Sequence, residues 1–280
     1  MKKNSLAKLG IGRDKSTFII AEAGINHNGD MNIAYCLIDE AKKAGASAIK
    51  FQTYITDKRV KKDNPVYGIL KQCELTVVQQ KRLKAYADKK GVIFFSTPFD
   101  EESVEGLQSL GVSLLKVASF DVVNHKLLKK IAAAGLPIIM SRGMATKKEL
   151  DAAVSILKKA RADFALLHCV SAYPTPKEEV NLGAIQTLLN MYDAPIGYSD
   201  HTLDIETPVY AVVHGARILE KHFTLDKKMK GPDQALSADP KEFARLVQKV
   251  REVEKMLGHG RLTMTNIEKG TKIFRRPSKI

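Results

Sequence analysis

Only three cysteines occur in the 280 residues. Cys36, Cys73 and Cys169 are scattered, odd in number and without metal-type spacing. That pattern excludes a disulfide scaffold and a cysteine-built metal site, and it points to a reduced, cytoplasmic compartment. No run approaches the ~20 continuous apolar residues that span a bilayer, so no membrane is expected as partner. The first residues, Met1 to Phe18, are basic but lack the apolar segment of a secretory signal. With 44% apolar and 27% charged residues, collagen-like, low-complexity and disordered readings also fail.

What the chain has in excess is positive charge: 45 Lys and Arg against 31 Asp and Glu, a formal +14. The lysines are spread in pairs along its length, such as Lys42 and Lys43, Lys89 and Lys90, and Lys158 and Lys159. Spread of this kind marks solvated helix faces. Nucleic acid needs a concentrated stripe with a recognition motif. The one dense basic stretch, residues 269–279, carries a single aromatic, Phe274. A small phosphorylated or carboxylated substrate fits the excess, and no nucleic acid is expected.

Eight short apolar, β-rich runs recur, at 17–21, 48–51, 92–96, 114–117, 137–141, 164–168, 195–199 and 217–221. Helical spacing fills 31–44, 76–90, 101–110, 124–134, 146–162, 182–192, 206–215 and 240–257. Strand and helix alternate eight times, which argues for parallel strands with crossover helices. Eight units in this length predict a single-domain α/β (β/α)8 TIM barrel over 17–258, with an N-terminal extension at 1–16 and a C-terminal tail at 259–280. A doubly wound open sheet uses the same units. The arbiter is that every run ends in polar or ionisable residues, which a barrel gathers into one ring at its carboxyl-end mouth. The longest connection, 53–75, has the length of a lid or binding loop.

Two constellations stand at those strand ends. His201 follows strand seven and His222 closes strand eight. Neighbouring imidazoles suit a divalent metal, with Glu22 and Asp233 as acidic neighbours. Lys50 and Lys116 end strands two and four. A buried ammonium is costly unless an anion pairs with it. With hydroxyls from Thr97, Ser119, Ser141 and Ser199 the two lysines make a phosphate or carboxylate cradle. Internal salt bridges to Glu22 or Asp121 are one alternative, and Schiff-base chemistry on a desolvated lysine is another. Weaker signals are His27 in a turn-rich loop, Tyr173 in a rigid Tyr-Pro-Thr-Pro loop, and Cys169 beside His168.

Jointly these stretches resemble the N-acetylneuraminate (sialic acid) synthase family of phosphoenolpyruvate-condensing (β/α)8 enzymes. The matching segments include Ile20-Ala-Glu-Ala-Gly-Ile-Asn-His-Asn-Gly-Asp30, Ala48-Ile-Lys-Phe-Gln-Thr53, Phe95-Ser-Thr-Pro-Phe-Asp100 and Lys116-Val-Ala-Ser119. His168-Cys-Val-Ser-Ala-Tyr-Pro-Thr-Pro176, Gly197-Tyr-Ser-Asp-His-Thr202, Glu220-Lys-His-Phe-Thr-Leu-Asp226 and Gly231-Pro-Asp233 follow in family order. The resemblance implies that His201 and His222 ligate a divalent metal, Mn2+ or Mg2+. It implies that Lys50, Thr97, Lys116, Ser119, Ser141, Ser171 and Ser199 hold phosphoenolpyruvate. Gln52, Tyr173 and Asp233 fall at the sugar, and Glu22, Asp121 and Asp233 at catalytic positions. The implied reaction joins C3 of phosphoenolpyruvate to the aldehyde of an N-acyl amino sugar, adds water at C2 and releases phosphate, giving a nonulosonic acid.

The chain departs from the family pattern at Phe120, Arg142, Gln234 and Ala238. It also ends at Phe274-Arg-Arg-Pro-Ser-Lys-Ile280, where the family enters a linker and an antifreeze-like domain that supplies an arginine to the partner subunit's sugar. A barrel-only member is therefore expected, a homodimer, with a separate antifreeze-like chain or a local residue such as Arg142 replacing that arginine. The rival readings are a lysine Schiff-base aldolase and a non-catalytic sugar- or partner-binding pseudoenzyme.

Overall fold

A computed structural model describes residues 5–277. Eight parallel strands close into one barrel in sequence order. They are β1 (Phe18–Gly24), β2 (Ala48–Thr53), β3 (Ile93–Pro98), β4 (Leu115–Val117), β5 (Ile138–Ser141), β6 (Phe164–Cys169), β7 (Ile196–Asp200) and β8 (Ile218–His222). β8 returns to pair with β1, with Glu22 opposite His222, so no edge is left and the open-sheet alternative is excluded.

Around the barrel run α1 (Met31–Lys43), α2 (Thr56–Arg59), α3 (Tyr67–Cys73), α4 (Val77–Lys90), α5 (Glu101–Ser109), α6 (His125–Ala133), α7 (Lys147–Lys159), α8 (Gly183–Met191), α9 (Thr207–Val213) and α10 (Pro240–Leu257). Local chemistry starts several of them. Thr76 with Gln79, Thr146 with Glu149, and Asp239 with Glu242 each close a reciprocal capping box. Such a cap satisfies amides that the first helical turn leaves without carbonyl partners.

Side chains alternate between the two faces of each strand. One set, including Ile19, Ile49, Phe94, Leu115, Met140, Leu166 and Leu219, joins the helices in the main core. The other set points into the barrel. At the floor it is apolar: Phe18, Ile20, Ala48, Phe95, Leu114, Ile139, Ala165 and Ile218 pack together. Gly197 has no side chain because one would meet Ile218 O at 2.4 Å and Leu167 Cδ2 at 2.6 Å. The segment read as an N-terminal extension plugs this floor, with Leu6 and Ile11 buried among the same residues. Two or four residues further along each strand the same inward parity delivers the polar mouth. Residues 259–277 run exposed beyond α10; the last three residues of the expected tail lie outside the described residues.

Candidate active site

The mouth holds a cavity of about 540 Å³. Its base is ionic. Lys50 Nζ lies 2.7 Å from Glu22 Oε2 and 3.7 Å from Glu220 Oε1, and it donates to Thr97 Oγ1 at 3.0 Å. Lys116 Nζ donates to Ser141 Oγ at 2.6 Å and to Val117 O, with Glu220 Oε1 at 3.9 Å. Ser199 Oγ donates to the same Glu220 oxygen at 3.3 Å. All of these side chains are buried. Of the alternative internal salt bridges, the one to Glu22 forms at Lys50, Lys116 has Glu220 instead, and Asp121 has no part in either.

The charges tune one another. Burial lifts the Glu22 carboxyl to about 7, against the pull of Lys50 and with the push of Glu220. Burial also acts against the Glu220 anion, yet Lys116 and Lys50 outweigh it and hold that carboxyl below its usual value. Two neighbouring carboxylates thus divide into one that protonates easily and one that does not. Burial lowers Lys116, whereas at Lys50 the Glu22 and Glu220 charges overcome burial and keep the ammonium charged. A lysine held protonated is a poor amine nucleophile.

His201 and His222 face each other with ring centroids 5.8 Å apart. Burial pulls both down to about 4, so both are neutral near pH 7. His201 Nδ1 lies 2.7 Å from Val170 O. A carbonyl only accepts, so Nδ1 carries the proton and Nε2 keeps its lone pair. His222 Nδ1 is buried without a hydrogen-bond partner, 3.9 Å from Asp233 Oδ2. Two neutral imidazoles with free nitrogens fit a divalent ion. No group of three or more His, Cys, Asp or Glu arranged to hold a metal occurs among the described residues, so further ligands would be substrate or water.

Most of the expected residues meet here. Glu22, Lys50, Gln52, Thr97, Lys116 and Ser119 line the cavity, as do Ser141, Tyr173, Ser199, His201, His222 and Asp233. Ser171 stands just behind, sharing a 2.8 Å hydrogen bond with Ser119. Asp121 does not line the cavity; its neighbour Phe120 takes the wall and is 57% exposed at the rim. Arg142 is not in the mouth either. Its Nη1 donates to Ala145 O at 3.3 Å on the far side of β5, so local replacement of a sugar-binding arginine by Arg142 is excluded. Gln234 is fully buried, tied to Thr224 and to Asn26 O, and has become a brace for the loop that carries Asp233.

Sequence reasoning placed Glu220 at the polar end of strand eight but gave it no role, and it missed Arg59. Strand parity would have singled out Glu220, two residues before His222 and on the same inward face. Arg59 lies in the 53–75 connection, one of five basic residues there with no periodic signal to single it out. That connection folds as α2 and α3 and contributes Arg59, Val60, Val66, Ile69 and Leu70 to the cavity, as expected of a binding loop.

The NeuB family pattern matches residues 37–262. This chain belongs to the NeuB family. The N,N'-diacetyllegionaminic acid synthase of Legionella pneumophila is 42% identical over 268 residues, covering 89% of this chain and 75% of that protein. An uncharacterized protein of Methanocaldococcus jannaschii is 49% identical, with 93% of this chain and 77% of that protein covered. The crystal structure of N-acetylneuraminic acid (sialic acid) synthetase from Leptospira borgpetersenii serovar Hardjo-bovis, in complex with citrate, superposes with a TM-score of 0.91 at 45% identity. It covers 94% of this chain and 92% of that one. The fold is thus shared with that synthetase over nearly the whole chain.

Proposed function

We propose that this NeuB-family chain condenses phosphoenolpyruvate with the aldehyde of an N-acyl amino sugar and releases phosphate. The observation that carries this reading is the pairing of Lys50 and Lys116 beside two neutral histidines in one buried mouth. Phosphoenolpyruvate brings a phosphate and a carboxylate. Lys50 and Lys116, with Thr97, Ser119, Ser141 and Ser199, would hold both through charge-assisted hydrogen bonds. Ser171 would set the direction of the Ser119 hydroxyl. Held in place throughout, these groups also stabilise the charge that leaves with phosphate.

His201 and His222 are the residues that would hold a divalent cation, Mn2+ or Mg2+, and such a cation supplies Lewis-acid polarisation of an aldehyde oxygen. Glu22 stands opposite His222 with a carboxyl that titrates near neutral pH. That value suits a group accepting a proton at Oε1 or Oε2 from the water that adds to C2 of phosphoenolpyruvate. Tyr173, its ring 4.2 Å from that of His201, Gln52 and Asp233 form the wall for the sugar, and Asp121 would act only through neighbours. The compartment proposed is the cytoplasm, supported by three free cysteines. Among the described residues no helix is long and apolar enough to cross a membrane. A homodimer is carried in the proposal, as is an antifreeze-like unit over the mouth, supported by the exposed Phe120 rim.

The test is phosphate release from phosphoenolpyruvate with a panel of amino-sugar aldehydes, with and without manganese. His201→Ala and His222→Ala should abolish both the release and the manganese-dependent thermal shift while leaving the melting transition cooperative. Full release by either variant after chelator treatment would overturn the metal role. Borohydride trapping of a keto acid on the protein would favour the aldolase instead.

A further inference from the structure

Among the described residues lining the mouth, Arg59 is the one arginine or lysine outside the Lys50–Lys116 pair. It ends α2, whose start is clamped from below: Ile55 N–H donates to Asp100 Oδ2 at 2.8 Å and Thr56 N–H to Glu74 Oε2 at 2.9 Å. The guanidinium carbon lies 3.7 Å from the ring centre of Phe99 and 4.6 Å from that of Tyr54. Those rings belong to a small apolar cluster with Ile25, Leu70 and Cys73. Tyr54 is itself fixed by its hydroxyl donating to Leu70 O at 2.9 Å. The cation is therefore held on a rigid aromatic platform and keeps its in-plane donors for other partners.

Nη1 donates to Gln52 Oε1 at 3.0 Å, and Gln52 Nε2 reaches back toward Glu22 Oε1 at 3.5 Å. Among the described residues no carboxylate lies within 4 Å of the guanidinium, in contrast to both lysines. Asp121, Asp233 and Glu22 surround it at longer range and are felt through space. An arginine has five N–H donors, so a half-buried, immobilised one with a single acceptor has capacity left over. The acidic surroundings disfavour a dianion and suit a neutral acceptor atom of a polyhydroxylated molecule, whose hydroxyls the carboxylates can take.

We infer that Arg59 is a specificity-determining residue of the acceptor half of the site, donating to the carbonyl oxygen of an unphosphorylated N-acyl amino sugar. This rests on the functional reading above, and the experiment separates the two. Arg59→Met and Arg59→Lys are compared with the parent protein in two measurements. The first is steady-state kinetics. The Michaelis constant for the acceptor should rise about tenfold to a hundredfold in Arg59→Met, as for loss of a charge-assisted hydrogen bond. That for phosphoenolpyruvate should stay within about threefold, and Arg59→Lys should recover only part of the loss because it lacks the planar donors. The second is calorimetric binding of an open-chain N-acetylated amino-hexitol and its de-acylated counterpart, which needs no turnover. The parent protein should prefer the acylated probe, and Arg59→Met should lose that preference. A merely structural arginine would raise both Michaelis constants and leave the preference intact, which overturns the inference. So does a parent protein that binds neither probe, or one that prefers a phosphorylated acceptor in an Arg59-dependent way. Arg59-dependent probe binding without phosphate release would instead overturn the condensation reading and leave the inference standing.

Discussion

Glu220 is the single carboxylate shared by both cradle lysines, and Glu220→Gln removes its charge with almost no change of shape. Lys50 keeps Glu22 at 2.7 Å, but among the described residues Lys116 has no other carboxylate within 4 Å. Lys116 is 2% exposed but faces the mouth cavity, so solvent there compensates its charge only in part. At 4 Å and an effective dielectric near 20, one such pair interacts by about 4 kcal/mol. Breaking a buried pair by removing one partner costs about 3–5 kcal/mol, because the other charge stays uncompensated. For a protein of this size that is roughly a 10 °C fall in melting temperature, at about 2–4 °C per kcal/mol. An anion that enters the mouth supplies the missing negative charge. Phosphoenolpyruvate at a hundred times its Kd adds about 2.7 kcal/mol to any protein that binds it only when folded. The variant should gain more than the parent at equal ligand concentration, because part of its deficit is the unpaired ammonium itself. The assay is differential scanning calorimetry with and without phosphoenolpyruvate at fixed pH and salt. A variant melting within about 2 °C of the parent, or one whose ligand shift is no larger, would refute the argument that Glu220 is the counter-ion of the cradle.

Three further outcomes follow from the same geometry. Lys116→Met should raise the Michaelis constant for phosphoenolpyruvate about tenfold to a hundredfold and leave that for the sugar unmoved; steady-state kinetics with each substrate varied checks the split. Gly143→Ala places a methyl 2.2 Å from Ser119 Cβ and 2.7 Å from Ser171 Oγ at a φ of +49°. It should therefore cost about 1–3 kcal/mol by overpacking and weaken phosphoenolpyruvate binding, read by urea unfolding and by titration. His27 is fully buried, and burial pulls its ring down to about 4 from 6.5. Between those values the unfolded chain binds the proton and the folded one does not, so stability falls as pH drops from about 6.5 to 4, by up to about 3 kcal/mol. His27→Asn should flatten that slope, measured as the difference in urea midpoint between pH 7.5 and 5.

The barrel was legible because two periodicities were written into the chain at once. Runs such as 137–141 and 195–199 are apolar on both faces, as parallel strands between a helix layer and a barrel interior must be, and they become β5 and β7. The polar residue at each run's end then named the mouth. What stayed hidden was whatever depended on a neighbour in space. Glu220 was placed at the mouth, but its part as the carboxylate of both lysines showed only once the strands closed and brought Ser199 opposite it. Arg59 is set by Phe99 and Tyr54, and Phe99 comes from a loop forty residues away. Asp121 was expected near the reacting carbons, but the turn at 119–121 gives the wall to Phe120 and leaves Asp121 Oδ2 buried without a hydrogen-bond partner. The N-terminal segment read as an extension because Leu6 and Ile11 are too few to show a period, although both are buried in the barrel floor.

The chain's excess of positive charge says little about how the mouth selects anions. The cavity is lined by three basic side chains, Lys50, Arg59 and Lys116, and three acidic ones, Glu22, Glu220 and Asp233. Its selectivity must come from placement. The lysines and the Thr97, Ser141 and Ser199 hydroxyls stand on the inward faces of β2 to β7, over the apolar floor, with Ser119 on the turn after β4, whereas Arg59 ends α2 in the connection after β2. The two kinds of cation therefore meet different parts of what enters. A ligand carrying a phosphate and a carboxylate on one carbon would reach both lysines at the ionic base of the mouth. In the proposed reaction a neutral polyol would gain nothing at that depth and would lie between Arg59, Gln52 and Asp233. The expected order of binding is therefore anion first and sugar second.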